Sequence, residues 1–370
     1  MKIAMVGQKG IPATYGGVER HVEELSAALS ALGHEITVYS RPHYAKPVPS
    51  CRGVRVKTLP SIATKHLDAF SHSLLSTLHA LGRNYDIVHY HGIGPSLVCP
   101  IARLSGARVV VTVHALDWRR EKWGRFARFM LMTGEKVAAK RARRVITVSR
   151  RIQEYLQERY GLESALIPNG VSTPDIRPLD ALRRRADIGS NGFLLYLGRF
   201  VPEKGCRLLV AAFRGVVTNK KLVMAGDIPK RDPYFAQLQE AAADDARIIF
   251  PGGLYGIEKS EALSNAGLFL LPSTVEGMPI GLLEAMSYGR CVAASDIPEN
   301  RTMLQDDGEP LGMLFRSGDA DDLRATIQRA LQNPIESAAL GRRAAERVRK
   351  RHDWTQVARL TLDVYKQALA

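Results

Sequence analysis

The sequence predicts a two-domain α/β protein, each domain a parallel β-sheet covered by helices on both faces. Short apolar runs alternate with amphipathic helical stretches along nearly the whole chain. The alternation lapses after residue 172 in a stretch rich in Pro, Asp and Arg, then restarts at Phe193. A chain of 370 residues also exceeds what one hydrophobic core ordinarily supports. The expected bounds are 1–172 for the first domain, 173–191 for a linker and 192–353 for the second domain, with a last helix, 354–370, packing back on the first.

In the first half, Lys2 to Val6 is an apolar strand, and the loop from Gly7 to Gly17 leads into a helix with Val18, Val22, Leu25, Leu29 and Leu32 on one stripe. Gly7-x-x-Gly10 lacks the Gly-x-Gly-x-x-Gly dinucleotide fingerprint. Gly16-Gly17 at the helix entrance lets the backbone approach a phosphate closely, although a flexible turn explains the pair equally well. Further strands are expected at Ile36 to Tyr39, Val54 to Thr58, Ile87 to Tyr90, Val109 to Val113, Val145 to Val148 and Ala165 to Ile167. Ligands of such sheets bind at the carboxyl ends of the strands. His89 and His91 stand at one such end and His114 at another, where Ala115, Leu116 and Asp117 continue into a loop. A histidine in that position is more often a satisfied structural group than a ligand contact. From Trp118 to Arg144, basic residues are mixed with Trp, Phe and Leu, which suits either a helix lying on anionic lipid headgroups or an ordinary packing helix with a solvated face.

The second half opens with the strand Phe193 to Leu197, then Gly198-Arg199 and Glu203-Lys204-Gly205, then a helix through Leu208, Leu209 and Phe213. Arg199 and Lys204 could neutralise a diphosphate, the first as a fork and the second as a point charge; alone, a solvated basic turn explains them as well. Strands follow at Leu222 to Ala225, Ile248 to Phe250, Leu268 to Leu271 and Cys291 to Ala294, with helices near 319–332 and 336–350.

The most informative stretch is 272–289. An apolar strand passes through the loop Pro272 to Met278 into a helix, Pro279 to Tyr288, closed by Gly289. Glu276 and Glu284 stand eight positions apart around that helix entrance. Free backbone N–H groups and a positive dipole end between two acids suit a ligand carrying both phosphate and hydroxyls. Ser273-x-x-Glu276 also has the form of a capping box. Pro279 opposes that reading, because proline belongs in the first helical turn and so places the helix start near residue 279.

Hydrophobic content of 45% and charged content of 24% argue against disorder. No apolar run approaches the roughly 20 residues that span a bilayer, and the amino terminus enters a strand without a signal-like segment. The chain is therefore expected in the cytoplasm, at the inner face of the membrane if the basic helix docks there. Cys51, Cys99, Cys206 and Cys291 stand singly, so neither zinc site nor disulfide is expected, and each reads as a buried thiol. Residues 1–172 hold 25 Lys+Arg against 12 Asp+Glu, whereas 173–370 hold 27 against 25. The basic half implies an anionic partner: nucleic acid, a membrane surface or a phosphate-bearing substrate. No nucleic-acid motif accompanies the charge, so nucleic acid is not the expected partner.

Taken together, Gly16-Gly17, His114, Gly198-Arg199, Glu203-Lys204-Gly205 and Glu276-x7-Glu284 form an ordered set. In that order the chain resembles the GT-B glycosyltransferases, in particular the retaining nucleotide-sugar enzymes of family GT4, over essentially its whole length. Gly-x-x-Gly-Ile-Pro-Ala-x-Tyr-Gly-Gly and the stretch Trp118 to Arg128 are similar to the bacterial surface-polysaccharide transferases. The resemblance implies two Rossmann-like, doubly wound domains facing a cleft, the first binding the acceptor and the second the nucleotide sugar. It implies that Gly16 and Gly17 meet the donor phosphate or the acceptor edge, that Arg199 and Lys204 hold the diphosphate, and that Glu284 binds the ribose hydroxyls. Glu276 would hold the donor sugar with the backbone of Gly277, Met278, Pro279, Ile280 and Gly281, and His114 would contact the sugar at its 6-position. Many relatives place phenylalanine or glycine where this chain has Met278. The implied donor is a nucleotide-diphosphate sugar, the acceptor a glycan or a polyprenyl-diphosphate-linked glycan, with no cofactor and no metal. No compact Asp-x-Asp of the metal-binding kind is recognised. A sugar-nucleotide epimerase or a phosphorylase of the same fold is the alternative, because fold does not decide function.

Overall fold

The computed structural model of the chain describes all residues except 65–66, 120–122, 187, 189–191, 229–231 and 307. It divides into two compact units, Met1–Gly170 with His352–Ala370, and Val171–Arg351.

Unit 1 is built on an eight-stranded sheet. In chain order its strands are β1 (Lys2–Val6), β2 (Glu35–Ser40), β3 (Ser50–Cys51), β4 (Val54–Thr58), β5 (Ile87–His91), β6 (Arg108–Val113), β7 (Arg144–Thr147) and β8 (Ala165–Leu166). Their spatial order is β3-β4-β2-β1-β5-β6-β7-β8, parallel throughout except for the β3–β4 edge pair, which is antiparallel. That two-residue edge strand gave no periodicity to detect. The strand order reverses between β1 and β5, the place where such sheets open a binding crevice. Gly7, which follows β1, could not be another residue: a Cβ there would lie 2.7 Å from the His91 carbonyl at the end of β5.

One face of this sheet is sealed by the helix Gly17–Ala31 together with the C-terminal helix Trp354–Leu369, through Val22, Leu25, Leu29, Trp354, Val357 and Tyr365. The contact is tight: a Cβ on Gly170 would lie 2.5 Å from the Trp354 ring. The expected helical stripe ends one residue early, since Leu32 is the C-cap and is exposed. The same helix also buries Glu19, His21, Glu23 and Glu24, which hydrophobic periodicity does not anticipate. The thiols of Cys99, Cys206 and Cys291 are buried as expected, but Cys51 is only half-buried, because it stands on the short edge strand beside the Glu23 carboxylate.

Unit 2 has strands β9 (Phe193–Leu197), β10 (Lys221–Ala225), β11 (Ile248–Gly252), β12 (Leu268–Leu271) and β13 (Val292–Ser295), then the small antiparallel pair β14 (Gln305–Asp306) and β15 (Glu309–Pro310), and finally β16 (Met313–Phe315). Six of them form one parallel sheet in the order β11-β10-β9-β12-β13-β16. Because successive side chains of a strand point to opposite faces, the continuous apolar runs feed two cores. Leu194, Tyr196, Leu222, Met224, Leu268 and Leu270 join one; Phe193, Leu195, Val223, Ala225, Phe269 and Leu271 join the other. The first core is closed by helices Cys206–Arg214 and Ala320–Gln332, the second by Gly256–Asn265 and Ile280–Ser287.

The stretch expected as a linker is partly built into unit 2. Ala181–Ala186 is helical, Leu182 is fully buried, and the Glu261 carboxylate accepts hydrogen bonds from the amides of Asp180, Ala181 and Leu182. The cap is therefore supplied from about 80 residues away, which local composition cannot reveal. Residues 187 and 189–191 of that stretch lie outside the described residues.

Candidate active site

In unit 2 the strand order reverses between β9 and β12, so the loops leaving these neighbouring strands share the carboxyl end of the sheet. The β9 loop turns sharply. The Tyr196 hydroxyl donates to the Arg199 carbonyl at 2.8 Å, and a Cβ on Gly198 would collide with that hydroxyl. Pro202–Lys204 forms a 3-10 turn that ends at Gly205 in the left-handed region, φ +66°. A Cβ on Gly205 would lie 2.1 Å from the Pro272 carbonyl oxygen, so this glycine lets the β9 loop pack directly on the β12 loop. The Thr274 amide donates to the Glu203 carbonyl at 2.9 Å and ties the two loops a second time.

Those backbone contacts bring charge together. Lys204 Nζ lies 2.5 Å from Glu276 Oε1, with side-chain exposures of only 17% and 9%. Arg199 is half-buried, and its guanidinium makes no ion pair among the described residues. The helix after β12 starts at Ile280 with Pro279 at its N-cap, and no side chain among the described residues caps it. The amides of Ile280 and Gly281 therefore face outward unpaired within the helix. The capping-box reading fails: the helix starts at Ile280, seven residues past Ser273, and among the described residues the buried Ser273 hydroxyl has no hydrogen-bond partner. Gly281 packs near the Leu197 carbonyl at the end of β9, and Met278 leans on the second core. Glu284 comes one turn later and pairs with Lys259 Nζ at 2.6 Å. Nothing in the sequence singled out Lys259, because its helix, Gly256–Asn265, meets Glu284 only in the folded unit.

Unit 1 places its predicted residues around the β1–β5 reversal. Gly16 is the N-cap of the first helix at φ +103°, and a Cβ there would strike the Glu19 carboxylate, which accepts the Lys9 amide at 3.1 Å. Gly17 is the first residue of the helix. The Tyr44 hydroxyl accepts from the amides of Thr14 and Tyr15 and so fixes the approach to Gly16. His114 follows β6 and is half-buried, with its Nε2 3.1 Å from His91 Nδ1 at the end of β5. His21 packs edge-on against His114 at 4.7 Å between ring centres and bonds the Asn169 side chain at 2.8 Å. Burial is the main cause that pushes His21 down to about 4 and His89 to about 3, and it holds His91 and His114 well below the ordinary imidazole value. All four are neutral near pH 7. His21 and Asn169 had no sequence signal, and His91 carried only the general one of a strand end.

Two arrangements bear on metal binding. One nitrogen each of His21, His91 and His114 lies within 4.8 Å of the others, and neutral imidazoles are ligands for zinc or nickel. His91 and His114 already spend facing nitrogens on each other, so an ion would have to displace that bond. Asp319-Ala320-Asp321 spells Asp-x-Asp, with both carboxylates engaged at a helix start. Asp319 is an N-cap, accepting from the Asp322 amide at 2.9 Å, and Asp321 pairs with Arg324 at 3.0 Å.

The basic stretch becomes the helix Arg125–Arg141, with Phe126 and Phe129 exposed by 76% and 64% beside Arg125 and Arg128. Arg120 and its neighbours 121–122 lie outside the described residues. Trp118 is fastened inward by Glu135, which also accepts from Tyr155 and Tyr160. Among the described residues no helix is long and apolar enough to cross a membrane.

Both units match known families. Residues 15–174 match the family described as Glycosyltransferase Family 4, and residues 181–347 the family described as Glycosyl transferases group 1. The chain is 29% identical to phosphatidyl-myo-inositol mannosyltransferase of Mycolicibacterium smegmatis, over 95% of this chain and 90% of that one. It is 27% identical to glycogen synthase of Mycobacterium tuberculosis, over 100% and 95%. Among solved structures, sucrose-phosphate synthase from Thermosynechococcus elongatus shares the fold at a TM-score of 0.82 and 22% identity, covering 99% of this chain and 98% of that one. So does Anabaena HepE in complex with UDP and glucose, at 0.82 and 18%, covering 98% and 99%.

Proposed function

Because the chain belongs to the family 4 glycosyltransferases of GT-B fold, we propose that it is a retaining, metal-independent transferase. It moves a sugar from a nucleotide-diphosphate sugar to a glycan or a polyprenyl-diphosphate-linked glycan in bacterial surface-polysaccharide synthesis. The observation that carries this reading is the Lys204–Glu276 pair, three residues before a helix N-terminus that no side chain caps among the described residues, at the strand reversal of unit 2, with Arg199 on the same loop as Lys204. That combination offers positive charge for a diphosphate beside acceptors for hydroxyls.

The reaction follows from where charge develops. The bond from the anomeric carbon to the phosphate oxygen breaks with its electron pair going to the diphosphate, and the sugar becomes cationic. Arg199, Lys204 and the amides of Ile280 and Gly281 stabilise the departing charge, so no divalent ion is required. Glu284 takes the ribose hydroxyls. Glu276, with the backbone from Gly277 to Gly281, takes the sugar hydroxyls, and His114 contacts the transferred sugar. The acceptor oxygen then bonds to the anomeric carbon on the face the phosphate leaves, and its proton passes to the departing phosphate oxygen. Gly16 and Gly17 present backbone amides to the donor phosphate or the acceptor edge. UDP-glucose bound to Anabaena HepE supports a nucleotide-sugar donor. The mannosyltransferase relative, whose name gives a phosphatidylinositol substrate, supports an acceptor held at a lipid surface.

Incubation with a panel of nucleotide sugars and membrane lipid extract tests the reading. Nucleoside diphosphate is expected only when acceptor is present, with or without chelator, and epimerised free sugar nucleotide would sink it. The proposed membrane-docking face bears Phe126, Phe129, Arg125 and Arg128, since exposed aromatics that enter the headgroup region and cations near anionic lipid both favour binding, each cation by about 1 kcal/mol. Changing Phe126 and Phe129 to Ser with Arg125 and Arg128 to Glu should release the protein from vesicles containing phosphatidylglycerol. Undiminished sedimentation with those vesicles would remove this part of the proposal.

A further inference from the structure

Four histidines of unit 1, His21, His89, His91 and His114, form a connected set. His89 Nδ1 lies 2.7 Å from the Tyr365 hydroxyl of the C-terminal helix, and its Nε2 lies 2.7 Å from Thr112 Oγ1, so both nitrogens are spent. Its ring stands 4.2 Å from that of His91, the next inward-facing residue of β5. His91 then reaches Met5 Sδ with Nε2 at 3.4 Å and His114 Nε2 with Nδ1 at 3.1 Å.

We propose that His91 is a positioning residue that fixes the tautomer of His114, so that His114 offers Nδ1 to the substrate as a hydrogen-bond acceptor and selects for a hydroxyl there. A neutral imidazole carries one N–H and one lone pair. The thioether of Met5 accepts hydrogen bonds weakly and donates none. A lone pair on His91 Nε2 would therefore face the lone pairs of sulfur, so the proton of His91 belongs on Nε2. Its Nδ1 is then bare and can only accept. His114 must supply the proton in the 3.1 Å contact from Nε2, which leaves its own Nδ1 bare. That atom has no partner among the described residues and is not one of the sealed polar atoms, so it is open to a ligand. The depressed proton affinity of both rings agrees with neutrality, because burial disfavours their charged forms.

The substrate part rests on the proposed contact of His114 with the transferred sugar; the tautomer part does not. Long-range proton–nitrogen correlation spectra of the full chain, with imidazole nitrogens labelled, decide the tautomer directly. Expected are a bare Nδ1 and a protonated Nε2 on His114; a protonated Nδ1 overturns the proposal. In His91→Leu the Met5-imposed order is lost and both His114 tautomers should appear. His91→Asn, which keeps an acceptor near the former Nδ1, should restore the single form. His114 keeping one tautomer in His91→Leu would show that His91 does not set it. If that variant fails to fold, Met5→Leu, which removes the sulfur that orders His91, should let both His114 tautomers appear, and a single tautomer there overturns the proposal. Retention of stoichiometric zinc or nickel by the purified protein, with these nitrogens ligating it, also overturns the proposal. Kinetics separate the functional reading. Across monodeoxy analogues of the donor sugar, the wild-type preference for the hydroxylated donor should fall roughly 10-fold in His91→Leu and hold in His91→Asn. If His114→Leu leaves that preference unchanged while the spectra show the expected tautomer, the sugar contact is wrong and the tautomer assignment stands.

Discussion

Gly205→Ala is the sharpest probe of how unit 2 assembles its site. Residue 205 sits at φ +66°, where a side chain costs roughly 1–2 kcal/mol. The new methyl would also lie 2.1 Å from the Pro272 carbonyl oxygen. A backbone oxygen cannot swing aside like a side-chain end, and relief of such overpacking costs typically about 1–3 kcal/mol. The sum, roughly 2–5 kcal/mol, corresponds to a fall in melting temperature on the order of 10 °C for a unit of this size. Relief must come from separating the two loops, so Lys204 and Glu276 should move apart and nucleotide-sugar affinity should fall with stability. Calorimetry and hydrogen exchange of the amides from 198 to 205 and 272 to 281 measure both effects. An unchanged melting temperature with unchanged exchange would refute the claim that backbone contact at Gly205 sets the spacing of the site.

Other outcomes follow from the same geometry. Lys204→Ala should lower turnover far more than donor affinity, because stabilising the departing diphosphate matters most in the transition state; equal losses in kcat and affinity would mean that Lys204 only binds. Acid should destabilise unit 1. His21, His89, His91 and His114 are neutral when folded, with affinities for protons below the unfolded value near 6.5. The unfolded chain therefore binds more protons below pH 6.5, and stability falls as pH drops from there toward about 4, by about 1.4 kcal/mol per pH unit for each imidazole. Urea midpoints between pH 7.5 and 5, followed by the near-ultraviolet signal of Trp118, Trp123 and Trp354, all in unit 1, should show the decline, and a flat profile would contradict the buried neutral cluster.

The strands were legible because both faces of each sheet are covered, which forces continuous apolar runs such as Leu268–Leu271. The helix start at Pro279 was legible because proline tolerates only the first turn. Glu276, Glu284, Arg199 and Lys204 were legible as an ordered set, but their pairings were not. Lys259 comes to Glu284 from another helix, and the Glu261 cap of the 181–186 helix reaches a stretch that composition marks as linker. The buried acids of the first helix were hidden for a related reason. Glu19 and Glu23 are inside because the amides of Lys9 and Ala13 need acceptors there, a demand set by a loop conformation that no periodicity encodes.

The central claim is that the loops after β9 and β12 hold a nucleotide-diphosphate sugar. A thermal-shift screen of UDP, GDP, ADP and dTDP sugars on the wild type and on Glu284→Ala tests it most directly, since a ligand that binds only the folded state raises its melting temperature. One of these nucleotides should stabilise the wild type and lose most of that effect in the variant. Stabilisation by none of them, or by the same amount in both proteins, would contradict the account.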